Sequence, residues 1–197
     1  MHINNYFDRI VVINLDRRID RLRQFESQVN DLGIDFVRYS AIDAQVLGID
    51  GAKACSRSHH NALVDAKADG VKRLFIFEDD AEFKPNFNQA FERITQVLPD
   101  DWQMLYLGSW PYSIIDVGIK ELRLTHGNIT THAYGAKAEI FDDLIACSLN
   151  ESQPIDVMYG LMHPNIKTYM AHPSIVTQTI GISDICKTLM NYQDFII

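Results

Sequence analysis

The chain has 197 residues, enough for one domain with a sizeable core, and its 47% hydrophobic and 22% charged residues exclude a disordered class. Acidic residues outnumber Lys and Arg by 26 to 18, a net charge of -8, which excludes the basic footprint of a nucleic-acid binder; an anionic ligand would need local cations. No apolar stretch approaches the ~18 residues that span a bilayer, and no signal peptide or anchor is read at the start. Three cysteines (Cys55, Cys147, Cys186) lack zinc-finger spacing, so a soluble protein of a reducing, cytoplasmic compartment is expected.

Arg9 to Leu15 (RIVVINL) is a β-branched run that predicts a strand covered on both faces. Leu22, Phe25, Val29 and Leu32 then recur at helical spacing, with Gly33 as C-cap. Ile34 to Ile42 reads as a second strand, and Ser56 to Gly70 as a helix stopped by Gly70. Leu74 to Phe77 is the third strand. Pro85 opens another helix, with Phe87, Phe91, Ile94 and Leu98 on one face, before Met104 to Leu107 supplies a fourth apolar run. Gly108 to Asn128 reads as a long irregular loop. Ile129 to Tyr134 is expected to be a strand, Ala136 to Ser148 a helix, Ile155 to Met162 a short helix, and Ile166 to Met170 and Ser174 to Thr179 strands. Strands alternating with helices predict an α/β layer structure with a mainly parallel twisted sheet, which binds ligands at the carboxyl ends of its strands.

The third strand runs directly into Glu78, Asp79 and Asp80. Side chains alternate along a strand, so Glu78 and Asp80 are expected to project together while Asp79 points away. Two carboxylates on one side suit Mg²⁺ or Mn²⁺, which prefer oxygen ligands and fill further positions with water and phosphate. An acidic strand end biased toward the next helix's N-terminus is the alternative. A receiver domain also ends an apolar strand in acids, but it needs a second, later strand ending in Asp, and LRLTHGN (Leu122 to Asn128) offers none.

Five stretches together resemble glycosyltransferase family 25, the lipopolysaccharide biosynthesis and procollagen galactosyltransferase family. They are VVINLDRRIDR (Val11 to Arg21), SAID (Ser40 to Asp43), ACSRSH (Ala54 to His59), FIFEDD (Phe75 to Asp80) and PID (Pro154 to Asp156). Weaker echoes are MLYLG (Met104 to Gly108), HAYGAKAEIF (His132 to Phe141), HPSIVTQ (His172 to Gln178) and SDI (Ser183 to Ile185). The likeness implies a GT-A-like fold in a single domain over residues 1–197, with a nucleotide-binding part to about 108 and an acceptor side from about 109. It implies a UDP-hexose donor, most simply UDP-galactose, a glycan or protein hydroxyl acceptor, a Mn²⁺ or Mg²⁺ cofactor, and inversion at the sugar carbon.

The resemblance places Asn14 and Leu15 beside the nucleotide, with Arg21 as the nearby cation; Arg17 and Arg18 are equally readable as helix-surface arginines. Asp43 is either a uracil or ribose contact or a turn residue. Ser56 or Ser58 is expected to begin a helix whose free N–H groups suit a diphosphate, with His59 in its first turn and Cys55 in the core. Asp80 is the principal metal ligand, joined by Glu78 and by a late histidine, His172, with His163 and His132 as competitors; Asp79 is a nucleotide contact or a structural acceptor. Asp156 is the general base or a helix N-cap. Trp110, Tyr112 and Tyr134 stack on sugars or plug the core. The rival to an enzyme is a degenerate transferase fold acting as a carbohydrate-binding or scaffold protein.

Overall fold

The computed structural model describes residues 1–191. After a one-turn α1 (Ile3–Tyr6), the run RIVVIN forms β1 (Arg9–Asn14), five of whose six side chains are buried. Leu15 to Arg18 leads into α2 (Ile19–Leu32), which ends on Gly33 at φ 68°, the left-handed cap its glycine permits. β2 (Val37–Ser40) is exposed and shorter than its apolar pattern suggested, because it lies at the sheet edge. The short α3 (Ala44–Leu47), capped by Asp43, precedes α4 (Gly51–Ala68). β3 (Arg73–Glu78) carries the acidic triplet's first member and is followed by β4 (Ala81–Phe83) and α5 (Phe87–Val97).

The expected loop from Gly108 to Asn128 is instead the outer part of a long hairpin, β5 (Met104–Asp116) and β6 (Leu122–Lys137). Its glycines and proline mimic loop punctuation but serve close packing. A Cβ at Gly108 would lie 2.0 Å from the Val176 carbonyl oxygen, and one at Gly127 would lie 2.2 Å from the Tyr112 ring. Register shifts flank Gly108 and Ser113, so the strand bends there rather than ending. A 3₁₀ turn (Ala138–Ile140) leads into α6 (Phe141–Leu149), then α7 (Ile155–Met162), β7 (Thr168–Ala171), β8 (Val176–Gln178) and a small ribbon of β9 (Gly181–Ile182) and β10 (Leu189–Met190).

The central sheet has the order β2-β1-β3-β6-β5-β7. β2, β1 and β3 pair in parallel and β5 pairs parallel to β7, while β6 runs antiparallel to β3, β5 and β7. All strands of this sheet but β6 therefore point the same way, and the α/β expectation with a mainly parallel sheet holds. Alternation along β1 and β3 divides the core. Ile10, Val12, Phe75 and Phe77 meet Phe25, Val29, Phe87 and Phe91 of α2 and α5 on one face. Val11, Ile13, Leu74 and Ile76 meet Ala62, Leu63, Phe141 and Tyr159 of α4, α6 and α7 on the other. Phe75 and Phe77 are fully buried, each worth about 1.5–3 kcal/mol of apolar transfer. That burial makes β3 a rigid support for the carboxylates at its end.

Candidate active site

β1 and β3 lie side by side and parallel, so the chain leaves both at the same edge of the sheet. A cleft of about 410 Å³ opens there. Leu15, Arg17, Arg21, Cys55, Ser58, His59, Glu78, Asp79, Asp80, Trp110, Thr130, Thr131, Asp156 and Gln178 line it, together with residues 183–187.

The acidic triplet divides at the strand end, and not in the expected way. Glu78, the last residue of β3, accepts from the Thr131 hydroxyl at 2.7 Å and lies 3.4 Å from His59 Nε2. Asp79 accepts from Asn14 Nδ2 at 2.7 Å and from Arg21 Nη1 at 3.1 Å; the same Nη1 reaches Asp80 at 3.5 Å. Face alternation applies only within the strand, and Asp79 and Asp80 already lie in the turn. The outward turn of Asp79 is thus corrected: Glu78 and Asp80 face one cleft, but Asp79 lines it with them, and Asp79 and Asp80 share one guanidinium.

Burial and the neighbouring Glu78 carboxylate push Asp80 up to about 7. Burial likewise raises Asp79 despite Asn14 and Arg21. Two carboxylates on a single guanidinium, with Glu78 beside them, leave positive charge in deficit, and carboxylate oxygens are the donors that Mg²⁺ and Mn²⁺ prefer. Gln178 adds to that fit. Its Nε2 lies 3.4 Å from both Asp80 oxygens, while its Oε1 is buried with no hydrogen-bond partner among the described residues, so a flipped amide presents an oxygen beside Asp80.

His172, the expected third ligand, is corrected: it is not among the residues lining the cleft, and its N–H donates to the Glu121 carbonyl at the end of β7. The chain turns there through cis-Pro173 into β8, whose pairing with β4 sets Gln178 opposite Ala81. The segment HPSIVTQ does reach the site, but through its last residue. His163 is buried against the Tyr106 hydroxyl and does not line the cleft; burial lowers it to about 4. His132 bonds the Thr130 hydroxyl through Nδ1, and burial lowers it to about 4 as well.

Several nucleotide-side expectations also change. Asn14 is 1% exposed and its amide is spent on the Arg18 carbonyl, Asp79 and Arg38, so it positions Asp79 instead of meeting a ligand. Asp43 caps α3 through Gln45 N–H and bonds Arg17 Nε at 2.7 Å, and it does not line the cleft. α4 begins at Gly51, capped by Asp50 onto the N–H groups of Ala52 and Lys53, five residues before the expected start. Ser58 and His59 are therefore mid-helix. Ser58 donates to the Ala54 carbonyl and accepts from Ile42 N–H, while His59 Nδ1 bonds the Tyr134 hydroxyl at 3.1 Å. Cys55, expected in the core, is only partly buried and faces the cleft.

Arg17 bonds Asp184 at 2.8 Å, and Arg18 pairs with the same carboxylate. Burial would raise Asp184, but the two guanidinium groups hold its carboxyl below the usual range. Arg21 also donates to the Ile182 carbonyl at 2.9 Å, so the β9–β10 ribbon is tied to the cleft's cations. Asp184 was missed as a site residue, although SDI was visible as a weak motif; a lone glutamine such as Gln178 carries no comparable signal.

Asp156, which also lines the cleft, lies in the first turn of α7, whose N-cap is Pro154, and so is not the cap. Its oxygens accept from Thr130 N–H at 2.9 Å and Val157 N–H at 2.8 Å. Thr130 has φ 90°, a strained conformation for a β-branched residue, and sits against both Asp156 and the cleft. Trp110 lines the cleft; Tyr134 is buried beneath His59, and Tyr112 packs over Gly127.

Comparisons with known proteins agree with this frame. A family model described as glycosyltransferase family 25 (LPS biosynthesis protein) matches residues 49–115. The chain is 27% identical over 201 residues to the inactive glycosyltransferase 25 family member 3 of Homo sapiens, covering 84% of this chain and 34% of that protein. It is 24% identical over 203 residues to procollagen galactosyltransferase 1-A of Xenopus laevis, covering 84% and 33%. The chain thus spans about a third of the length of these curated relatives. A crystal structure of a glycosyltransferase involved in the glycosylation of the major capsid of PBCV-1 superposes with a TM-score of 0.58 at 12% identity, covering 90% of this chain and 95% of that one. The fold is accordingly GT-A-like. Among the described residues, no helix is long and apolar enough to cross a membrane.

Proposed function

We propose, for a chain related to glycosyltransferase family 25, that this domain transfers a hexose from a UDP-sugar, with galactose as the sugar, to a hydroxyl of a glycan or protein acceptor with inversion. The observation that carries the reading is one cleft lined by Asp79 and Asp80 just beyond the end of β3, by Arg21 in the first turn of α2, and by Asp156 on α7. Asp80, Asp79 and the Gln178 oxygen would hold Mn²⁺ or Mg²⁺. Bound there, the ion neutralises charge on the diphosphate leaving group. Arg17 and Arg21 meet the phosphates, and Leu15, Ala41 and Ile42 give the base an apolar wall. Asp156, fixed by two backbone N–H groups, keeps a free lone pair on each oxygen. It takes the acceptor hydroxyl's proton as that oxygen attacks the anomeric carbon, the bond to UDP breaks, and UDP departs with the electron pair.

The direct test is UDP release from UDP-galactose with Mn²⁺, with and without chelator. Activity that chelator removes and that Asp80→Ala abolishes is expected; no UDP-sugar binding with any divalent ion would sink the reading. One observation favours a second reading, the name inactive borne by the human relative. A degenerate fold that binds carbohydrate would fold normally, bind a glycan, and show no turnover, with Asp80→Ala changing nothing.

A further inference from the structure

Cys55 and His59 stand one turn apart on one face of α4, and Glu78 ends the neighbouring β3. Their donor atoms all lie within 4.8 Å of one another. His59 is 0% exposed, and its Nε2 has no hydrogen-bond partner among the described residues. That nitrogen faces Glu78 Oε1 across 3.4 Å. A tetrahedral ion with nitrogen and oxygen ligands at about 2.0 Å spaces them about 3.3 Å apart, so this edge already has the right length.

We propose that Cys55 Sγ, His59 Nε2 and Glu78 Oε1 form a second cation site, separate from the one at Asp80 and selective for a borderline-soft ion such as Zn²⁺. The donor set decides the class. A thiolate and an imidazole favour Zn²⁺ over Mg²⁺ or Mn²⁺, whereas the oxygens of Asp79, Asp80 and Gln178 favour the reverse. Both fixed ligands are braced from behind. The Tyr134 hydroxyl holds His59 Nδ1 at 3.1 Å, leaving Nε2 for the ion, and the Thr131 hydroxyl holds Glu78 at 2.7 Å. All three ligands line the cleft. Cys55 must lose its proton on binding, and solvent in the cleft receives it.

The inference does not rest on the transferase reading, and its test does not use turnover. The chelator-stripped protein is titrated with Co²⁺. We expect one equivalent to give a thiolate-to-cobalt charge-transfer band with the strong visible bands of tetrahedral cobalt, and Zn²⁺ but not Mg²⁺ to displace it. Cys55→Ser should remove the charge-transfer band with the circular dichroism unchanged. Asp80→Asn should leave it intact, and Tyr134→Phe should weaken Zn²⁺ binding by about 10–100-fold. No band in the wild-type protein would overturn the proposal, leaving His59 and Glu78 joined by a proton. A band that survives Cys55→Ser would assign it to Cys147 or Cys186 and overturn it equally.

Discussion

The two faces of the central sheet are built from the same strands yet differ in chemistry. One packs Phe7, Phe25, Phe75, Phe77, Phe87 and Phe91. The other buries Tyr106, Tyr134 and Tyr159 beside His59 and His163, with hydroxyl–imidazole contacts at 3.1 and 3.3 Å. The apolar face holds the strands in place by aromatic packing. On the polar face, His59 Nε2, Tyr159 Oη and His163 Nδ1 are buried with no hydrogen-bond partner among the described residues. Such groups weaken a core.

The sharpest way to break this contrast is to alter each face and read both stability and activity. Asp156→Asn, beside the polar face, should lower kcat by about 10²–10⁴-fold, the usual span for losing a general base, while leaving thermal unfolding nearly unchanged. Phe91→Ala should do the opposite. It should cost about 3–5 kcal/mol in denaturant unfolding while the residual folded fraction keeps its KM for the donor. Equal effects of either change on stability and activity would remove the division of labour.

A smaller effect separates the faces by pH. Burial holds His163 at about 4 against an ordinary 6.5, so between those values the unfolded chain binds more protons than the folded one. Stability should therefore be fully present above about 6.5 and fall as pH drops toward 4, by about 3 kcal/mol for this group. The groups beside it are the Tyr106 hydroxyl and His126. His163→Gln should reduce the slope in that window in a urea series across pH, leaving the share contributed by His132, and an unchanged slope would show that His163 does not titrate there on unfolding.

Legibility followed the length scale of each interaction. β1, β3, α2 with its Gly33 cap and α5 were visible because their apolar spacing repeats within a few residues of chain. The β5–β6 hairpin was not. Gly108, Pro111 and Gly127 look like loop residues, and only the packing of Val176 and Tyr112 against the two glycines shows why the strand needs them. The start of α4 was placed late because Asp50 and Gly51 sit in what reads as a loop, and the cap is a three-dimensional hydrogen bond.

By itself the sequence determined that an apolar strand delivers Glu78, Asp79 and Asp80 to a strand end, and that Arg21 and Asp156 belong to the same motif set. Only the tertiary structure decided how these groups divide: Asp79 and Asp80 onto Arg21 and Gln178, Glu78 onto His59 and Thr131, and His172 out of the cleft. The reason is physical. Which way a carboxylate points is a local property only while the strand lasts. Beyond its end the directions of Asp79 and Asp80 are set by Asn14, Arg21 and Gln178, which lie 58 to 98 residues away along the chain.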